Sequence, residues 1–261
     1  MTHHLYSHLC HRLRTGMLAA LAVTLSACAS TPTTVPHQDW ATIKRVGVIS
    51  LVENEIHAYF KVGPVMREKV GASVRETYLG PPVLGKWPVN RSITAAAGKA
   101  LDPRYRYVPL TYDPAKLAKE AYRPNPDYMN LERLKPDLQR ISGGKVDTLV
   151  LISTSGSVTR VVGRKIWLAG YGFYRQSILP GAPTVDYAAL RVTVVDGKTM
   201  KLLADRSAFA TQRLPASLWE MNVTTITPQE RNSLREHITG LLRRTVGQLV
   251  HEIGLGKPPP P

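Results

Sequence analysis

The run Val146-Asp147-Thr148-Leu149-Val150-Leu151-Ile152-Ser153 constrains the fold of this chain more than any other stretch. It is apolar and β-branched with little alternation, the pattern of a buried strand rather than one with a wetted side. Lys44 to Val52 has the same character. Buried strands need partners to cover them, and the chain supplies helices at intervals. One opens at Pro88 and runs to about Leu101, with Ile93, Ala96, Ala97, Ala100 and Leu101 on one face. Asp113-Pro114 pairs an N-cap with a proline at the first helical position, so a second follows to about Ala121. A third covers about 126–141, bent or broken at Pro136 and ended by Gly143-Gly144. The clearest is the last. Thr227-Pro228-Gln229-Glu230 is a capping box, and Leu234, Ile238, Leu241, Leu242, Val246, Leu249, Val250 and Ile253 recur every three or four residues before Gly254.

Antiparallel patterns lie between and beside these helices. Tyr105 to Leu110 reads as a strand, and Ile56 to Val62 as a weak one able to return as a hairpin partner of the first. Val158 to Val162 and Trp167 to Ile178 flank a turn at Gly163-Arg164-Lys165. Ala188 to Val195 and Thr199 to Phe209 alternate on either side of Asp196-Gly197, which predicts a type I′ hairpin. Residues 63–87 lack a clear period. The fold class that follows is α/β: a mixed sheet sandwiched with helices on one or both faces, an antiparallel hairpin portion, and a long C-terminal amphipathic helix.

The N-terminus is of a different kind. Arg12 and Arg14 precede the ten apolar residues Gly16 to Leu25, about half of what a bilayer-spanning helix needs. Leu25-Ser26-Ala27-Cys28 follows, and it resembles the lipobox of bacterial lipoproteins. That resemblance implies a signal peptide over 1–27, acylation of Cys28, and a lipidated tether over 28–40. A single α/β domain over 41–255 and a proline-rich tail over 256–261 complete the expected organisation. Ala29, rather than Asp, after the cysteine implies the outer membrane, lipid-anchored on the periplasmic side. An ordinary secretory signal with an incidental cysteine is the alternative. Cys10 and Cys28 are the two cysteines of the chain, so the domain beyond them holds neither a disulfide nor a thiolate zinc site.

The order strand, helix, strand, helices, strand, hairpins, long helix, together with Val195-Asp196-Gly197-Lys198-Thr199, resembles the small α/β domain of envelope-assembly lipoproteins. These include the curli-secretion and Pel-polysaccharide lipoproteins, penicillin-binding-protein activators and the N-terminal domain of the Tol translocation protein. The resemblance implies oligomerisation or docking onto envelope machinery, without catalysis, and carries over no catalytic residue. A long insert at about 53–87 and extra strands at about 156–180 depart from that pattern.

Chemistry is sparse. Walker A, GxGxxG and HExxH patterns are absent, and no cofactor or metal is expected. Ser142-Gly143-Gly144-Lys145 matches the SxxK of serine–lysine enzymes, but two glycines disfavour the helix which that geometry needs. Glu53, Glu55 and His57 cluster in one turn, where they could bind metal or serve a hydrolase as acid and base, or, more simply, form a solvated hairpin tip. His237 reads as exposed among surface arginines, and Trp87 and Trp219 as packed or secondary contacts. The segment Arg164, Lys165, Trp167, Tyr171, Phe173, Tyr174, Arg175 interleaves cations with aromatics, as an interaction surface does, or as a half-buried strand does. The formal charge is +15, or +13 once residues 1–27 leave with Arg12 and Arg14. Outside the cytosol this points away from nucleic acid and towards the membrane, anionic glycans or an acidic partner. Two functions follow: a non-enzymatic assembly or accessory component of a cell-envelope complex, with a protein partner or homo-oligomer, or a binding module for an anionic envelope polymer.

Overall fold

The two apolar runs become adjacent parallel strands, and everything else is arranged about them. The computed structural model describes residues 40–54, 56–60, 78–79, 87–122, 129–161, 164–175, 184–215 and 227–257. The expected signal peptide, Cys28, most of the tether and of the 53–87 insert, Trp219 and Pro258 to Pro261 lie outside the described residues. In chain order the elements are β1 (Arg45–Ser50), β2 (His57–Phe60), β3 (Tyr78–Leu79), α1 (Val89–Ala100), β4 (Arg106–Val108), α2 (Pro114–Ala121), α3 (Leu131–Ser142), β5 (Thr148–Thr154), β6 (Gly156–Val161), β7 (Arg164–Ala169), β8 (Tyr171–Arg175), β9 (Thr184–Asp196), β10 (Leu202–Arg213) and α4 (Pro228–Glu252). Every one of them belongs to the unit Pro32–Pro261.

The main sheet has the order β3-β2-β8-β9-β5-β1-β4, with β10 also paired to β9. β1 runs parallel to β4 and β5, and β2 parallel to β8; the other pairs are antiparallel. The long strand β9 is the hinge of this arrangement. One of its edges pairs with β8 through residues 184–188 and with β5 through 190–196. Its other edge pairs with β10 along almost its whole length.

Both faces are covered. Alternate residues Ala188, Leu190, Val192 and Val194 of β9 join Val46, Val48, Val150 and Ile152 beneath α1 and α4. On the opposite face Ile49, Leu51, Leu149, Leu151 and Val195 meet Leu117 and Ala121 of α2 and Leu134 and Leu138 of α3. The rest of that face, Tyr174 and Tyr187 with Val185 and Phe209, lies under the separate hairpin β6–β7 through Val161, Ile166 and Leu168. The chain is thus a mixed α/β sandwich with a long C-terminal helix.

Local chemistry sets the helix ends. The Thr227 hydroxyl accepts from Glu230 N–H at 3.3 Å while the Glu230 carboxylate accepts from Thr227 N–H at 2.8 Å. Asp113 accepts from Ala115 N–H at 2.9 Å and Lys116 N–H at 3.2 Å. The third helix departs from expectation at its start. It begins after the N-cap Asn130 rather than at Pro126, and runs through Pro136 without a break. Gly143 and Gly144, at φ 49° and 71°, end it as left-handed caps.

Four further expectations change. The strand after Glu53 is not a hairpin partner of β1, because β4 and β5 already occupy both edges of β1; it pairs with β8 and β3 instead. The expected strand 105–110 shortens to Arg106–Val108, since Pro109 has no N–H to continue a ladder. Arg164 and Lys165 lie in β7 rather than in a turn, and Gly170, at φ 68°, divides the expected strand 167–178 into β7 and β8. The hairpin before β10 is wider than a two-residue turn. Asp196 Oδ1 accepts from Lys198 N–H (3.0 Å), Thr199 N–H (2.7 Å) and the Thr199 hydroxyl (2.8 Å), and Met200 takes the positive φ of 55°. Gly197 is required for space instead: a Cβ there would lie 2.4 Å from the Val146 carbonyl oxygen.

Candidate functional site

The aromatic and cationic segment of the sequence is divided by the fold. β8 lies between β2 and β9 in a sheet covered on both sides, so Tyr171, Phe173 and Tyr174 are buried. Tyr171 donates its hydroxyl to the Glu53 carbonyl at 2.5 Å and meets Trp87 edge-on at 5.9 Å between ring centroids. These three rings are core rather than surface. Trp167 remains 48% exposed on β7, lying against Gly156 of the neighbouring strand. Arg175 is partly buried, and the Arg164 and Lys165 side chains lie outside the described residues.

The other residues singled out by sequence are dispersed. Ser142 is buried, its hydroxyl donating to the carbonyls of Gln139 (3.0 Å) and Gly197 (3.4 Å), whereas Lys145 is exposed. Glu53 is exposed; the side chains of Glu55 and His57 lie outside the described residues. Among the described residues no three His, Cys, Asp or Glu side chains are grouped to hold a metal ion.

Two polar clusters emerge that the sequence reading did not single out. At the carboxyl ends of β1 and β5, Asn90 accepts from the Ser50 hydroxyl (2.5 Å) and Val52 N–H (3.1 Å) and donates to the Val52 carbonyl (2.9 Å) and Asn54 (3.1 Å). Tyr112 accepts from Ser50 N–H at 2.7 Å, and burial pushes its hydroxyl up to about 12. Tyr122 accepts from Thr154 N–H at 3.2 Å. Their hydrogen-bonding capacity is spent on the strand ends, so this crevice, where open α/β sheets commonly bind ligands, acts as a structural clasp.

The second cluster lies under α4. Asp186 is fully buried, and neither carboxylate oxygen has a hydrogen-bond partner. Its nearest ionisable neighbour is His237 Nδ1 of α4, 3.9 Å from Oδ2 and beyond hydrogen-bond reach. Burial pushes the carboxyl up to about 7, against a weaker pull from the Arg244 charge. Gln212 of β10 links the two elements: its Nε2 lies 3.3 Å from His237 Nδ1, and Arg244 donates to its Oε1. Above the cluster an open groove of about 550 Å³ separates β10 from α4, lined by Ala210, Gln212, Leu241, Arg244 and Thr245 among others. Sequence alternation does hold a trace of this. Asp186 shares the period of Ala188, Leu190, Val192 and Val194, so a carboxylate falls on an apolar face.

No family model and no curated protein matches the chain. Among solved structures the fold is similar to the hypothetical protein CT253 from Chlamydia trachomatis, at a TM-score of 0.40 and 12% identity over 82% of this chain and 97% of that one. It is also similar to lipoprotein GNA1162 from Neisseria meningitidis, at 0.29 and 12% over 77% and 99% of the respective chains. A PelC dodecamer from Paraburkholderia phytofirmans follows at 0.34 and 6% over 89% and 99%. Among the described residues no helix is long and apolar enough to cross a membrane.

Proposed function

We propose that the chain is a lipid-anchored, periplasm-facing protein of the outer membrane that serves a cell-envelope complex as a non-enzymatic assembly or accessory component. The observation carrying this reading is the N-terminal series of basic flank, ten-residue apolar core and Leu25-Ser26-Ala27-Cys28. One acyl chain holds a protein at a membrane only marginally, while two or three hold it firmly. The tether of Ala29 to Asp39, with two prolines and no periodicity, gives the domain reach from the bilayer. Polar side chains such as Asn90, Tyr112 and Ser142, spent on hydrogen bonds to the backbone, support docking rather than turnover.

The test is Cys28→Ser in cells of the source type. Loss of the lipid mass and release from the membrane fraction are expected. Unchanged mass and fractionation would remove the anchor and the compartment together. In-cell crosslinking of the lipidated protein then identifies what it serves. The charge of +13 that is left without residues 1–27, with the segment Arg164 to Arg175, favours a second reading, a binding module for an anionic envelope polymer. It predicts salt-sensitive retention on acidic glycan that is lost when Arg164, Lys165 and Arg175 become Ser.

A further inference from the structure

β10 is twelve residues long and, among the described residues, is paired on one side only. The phase of its outer side is set by β9. Ala189 donates its N–H to the Gly170 carbonyl and accepts from Ser155 N–H, so both its backbone groups are used on the edge away from β10. Its cross-strand partner Phe209 therefore aims its own N–H and C=O outward, and Ser207 and Thr211 share that phase. The bond from Leu214 N–H to the Thr184 carbonyl agrees, because even-numbered residues point inward. Ser207, Phe209 and Thr211 thus present a row of backbone donors and acceptors without a partner among the described residues. Natural sheets shorten, charge or interrupt such edges. Here the charged residues Asp205, Arg206 and Arg213 flank an uncharged stretch from Ser207 to Thr211, the one register shift lies between Leu202 and Ala204, and proline appears only at position 215.

The groove runs beside this row. On the α4 side of β10, Ala208 and Ala210 stand opposite Leu190 and Ala188. The small side chain of Ala210 leaves the space that Leu241 and Arg244 line from the helix, while Ala208 packs against the core. Arg244 is exposed, and its nearby carboxyl, Asp186, keeps its proton below about pH 7 and there does not cancel its charge.

From this juxtaposition we infer that β10 is a docking edge for an extended, acidic segment of a partner protein. The segment adds as a further strand beyond Phe209 and lays alternate side chains, a carboxylate among them, in the groove against Leu241 and Arg244. Main-chain bonds supply affinity and the groove supplies selectivity, as in other strand-addition sites. Charge decides the occupant. A second copy of this chain brings another +15 and a second Arg244 to the same edge, whereas an acidic segment is attracted. The inference deepens the docking role proposed above and rests on it for the existence of a partner, but not on the lipid or the compartment.

The test uses the purified full chain and two short fluorescein-labelled peptides, one alternating valine with glutamate and one alternating valine with lysine. Anisotropy is expected to show saturable binding of the acidic peptide and at least about tenfold weaker binding of the basic one. Thr211→Pro deletes an outward N–H and leaves the β9 ladder intact, so it weakens the acidic peptide at least about tenfold. Arg244→Ala narrows the preference for glutamate over lysine at least about threefold, leaving only the part that added salt screens. Titration followed by amide NMR reads the same surface without a variant: the Ser207, Phe209 and Thr211 amides move more than those of Ala208 and Ala210. Equal binding of both peptides, indifference to Thr211→Pro, or no saturable binding would overturn the inference. So would a self-associated chain that Thr211→Pro renders monomeric, since a second copy would then hold the edge. A Cys28→Ser protein that stays membrane-bound yet binds the peptide normally would fault the anchor and leave this edge standing.

Discussion

Replacing Asp186 with Asn should stabilise this protein, and by an amount that grows with pH. The folded protein holds the Asp186 proton up to about pH 7, whereas the unfolded chain releases it near the ordinary value of 3.8. Between those limits the native state binds more protons than the unfolded state, so stability falls as pH rises. At about 1.4 kcal/mol for each factor of ten in proton affinity, the interval from 3.8 to about 7 makes the penalty roughly 4 kcal/mol once Asp186 is ionised. Below the unfolded value the carboxyl is neutral in both states and the penalty vanishes. The asparagine amide would be neutral throughout and nearly the same shape. Urea unfolding of the wild type and Asp186→Asn at intervals from pH 4 to pH 9 should give curves that nearly coincide in acid. They should diverge above about pH 4, with the amide variant the more stable. His237 stands 3.9 Å from the carboxylate, so the pair of proteins is repeated with His237→Gln. A gap that is independent of pH, an amide variant less stable at pH 8, or a gap that disappears with His237→Gln would refute the reasoning.

Other outcomes follow from single contacts. Thr227→Ala removes the capping box of α4 and should lower stability by about 1 kcal/mol in urea unfolding, with a matching loss of helical ellipticity. Gly197→Ala drives a methyl against the Val146 carbonyl and should cost roughly 2–3 kcal/mol by the same measurement, although Gly197 needs no positive φ. Asn90→Ala strands Val52 N–H and C=O at the end of β1 and should cost roughly 2–3 kcal/mol, read as a drop in thermal midpoint and faster exchange of the Val52 amide. Asp147 is held below the usual carboxylate range, chiefly by the Arg45 side chain, with help from the backbone N–H groups of Arg45 and Lys44. Its contribution is present above pH 3.8 and lost as pH falls further. Asp147→Asn should therefore lower the unfolding midpoint at pH 7, and the deficit should shrink in acid.

Much of the architecture was legible because its causes are local. The capping box at Thr227, the Asp113-Pro114 start and the glycines after Ser142 each act within one turn of helix, and each element ends where they place it. The runs at β1 and β5 are buried because their residues leave no side for water. Pro136 was misleading: a proline loses one hydrogen bond, but Leu134 and Leu138, both buried against α2 and the sheet, hold the helix through it. Asp196-Gly197 misled in another way, because the constraint on Gly197 is the carbonyl of Val146, far earlier in the chain.

The site was less legible. Tyr171, Phe173 and Tyr174 have the composition of a sticky surface, yet β2 and β9 flank them and the layers above and below close over them. Residues 199–209 read simply as half of a hairpin, and the open side of the strand observed over Leu202–Arg213 depends on which strands took the other places. The composition and short-range pattern of this chain determined its class, its helix ends and its apolar strands, and the address proposed for it rests on its first twenty-nine residues. Each of these depends on groups a few bonds or one turn apart. Tertiary structure alone decided that the aromatics of β8 face inward, that Asp186 is sealed under α4, and that β10 keeps one side unpaired among the described residues. Burial and strand pairing are made by residues far apart in the chain, and no local rule specifies which edge remains.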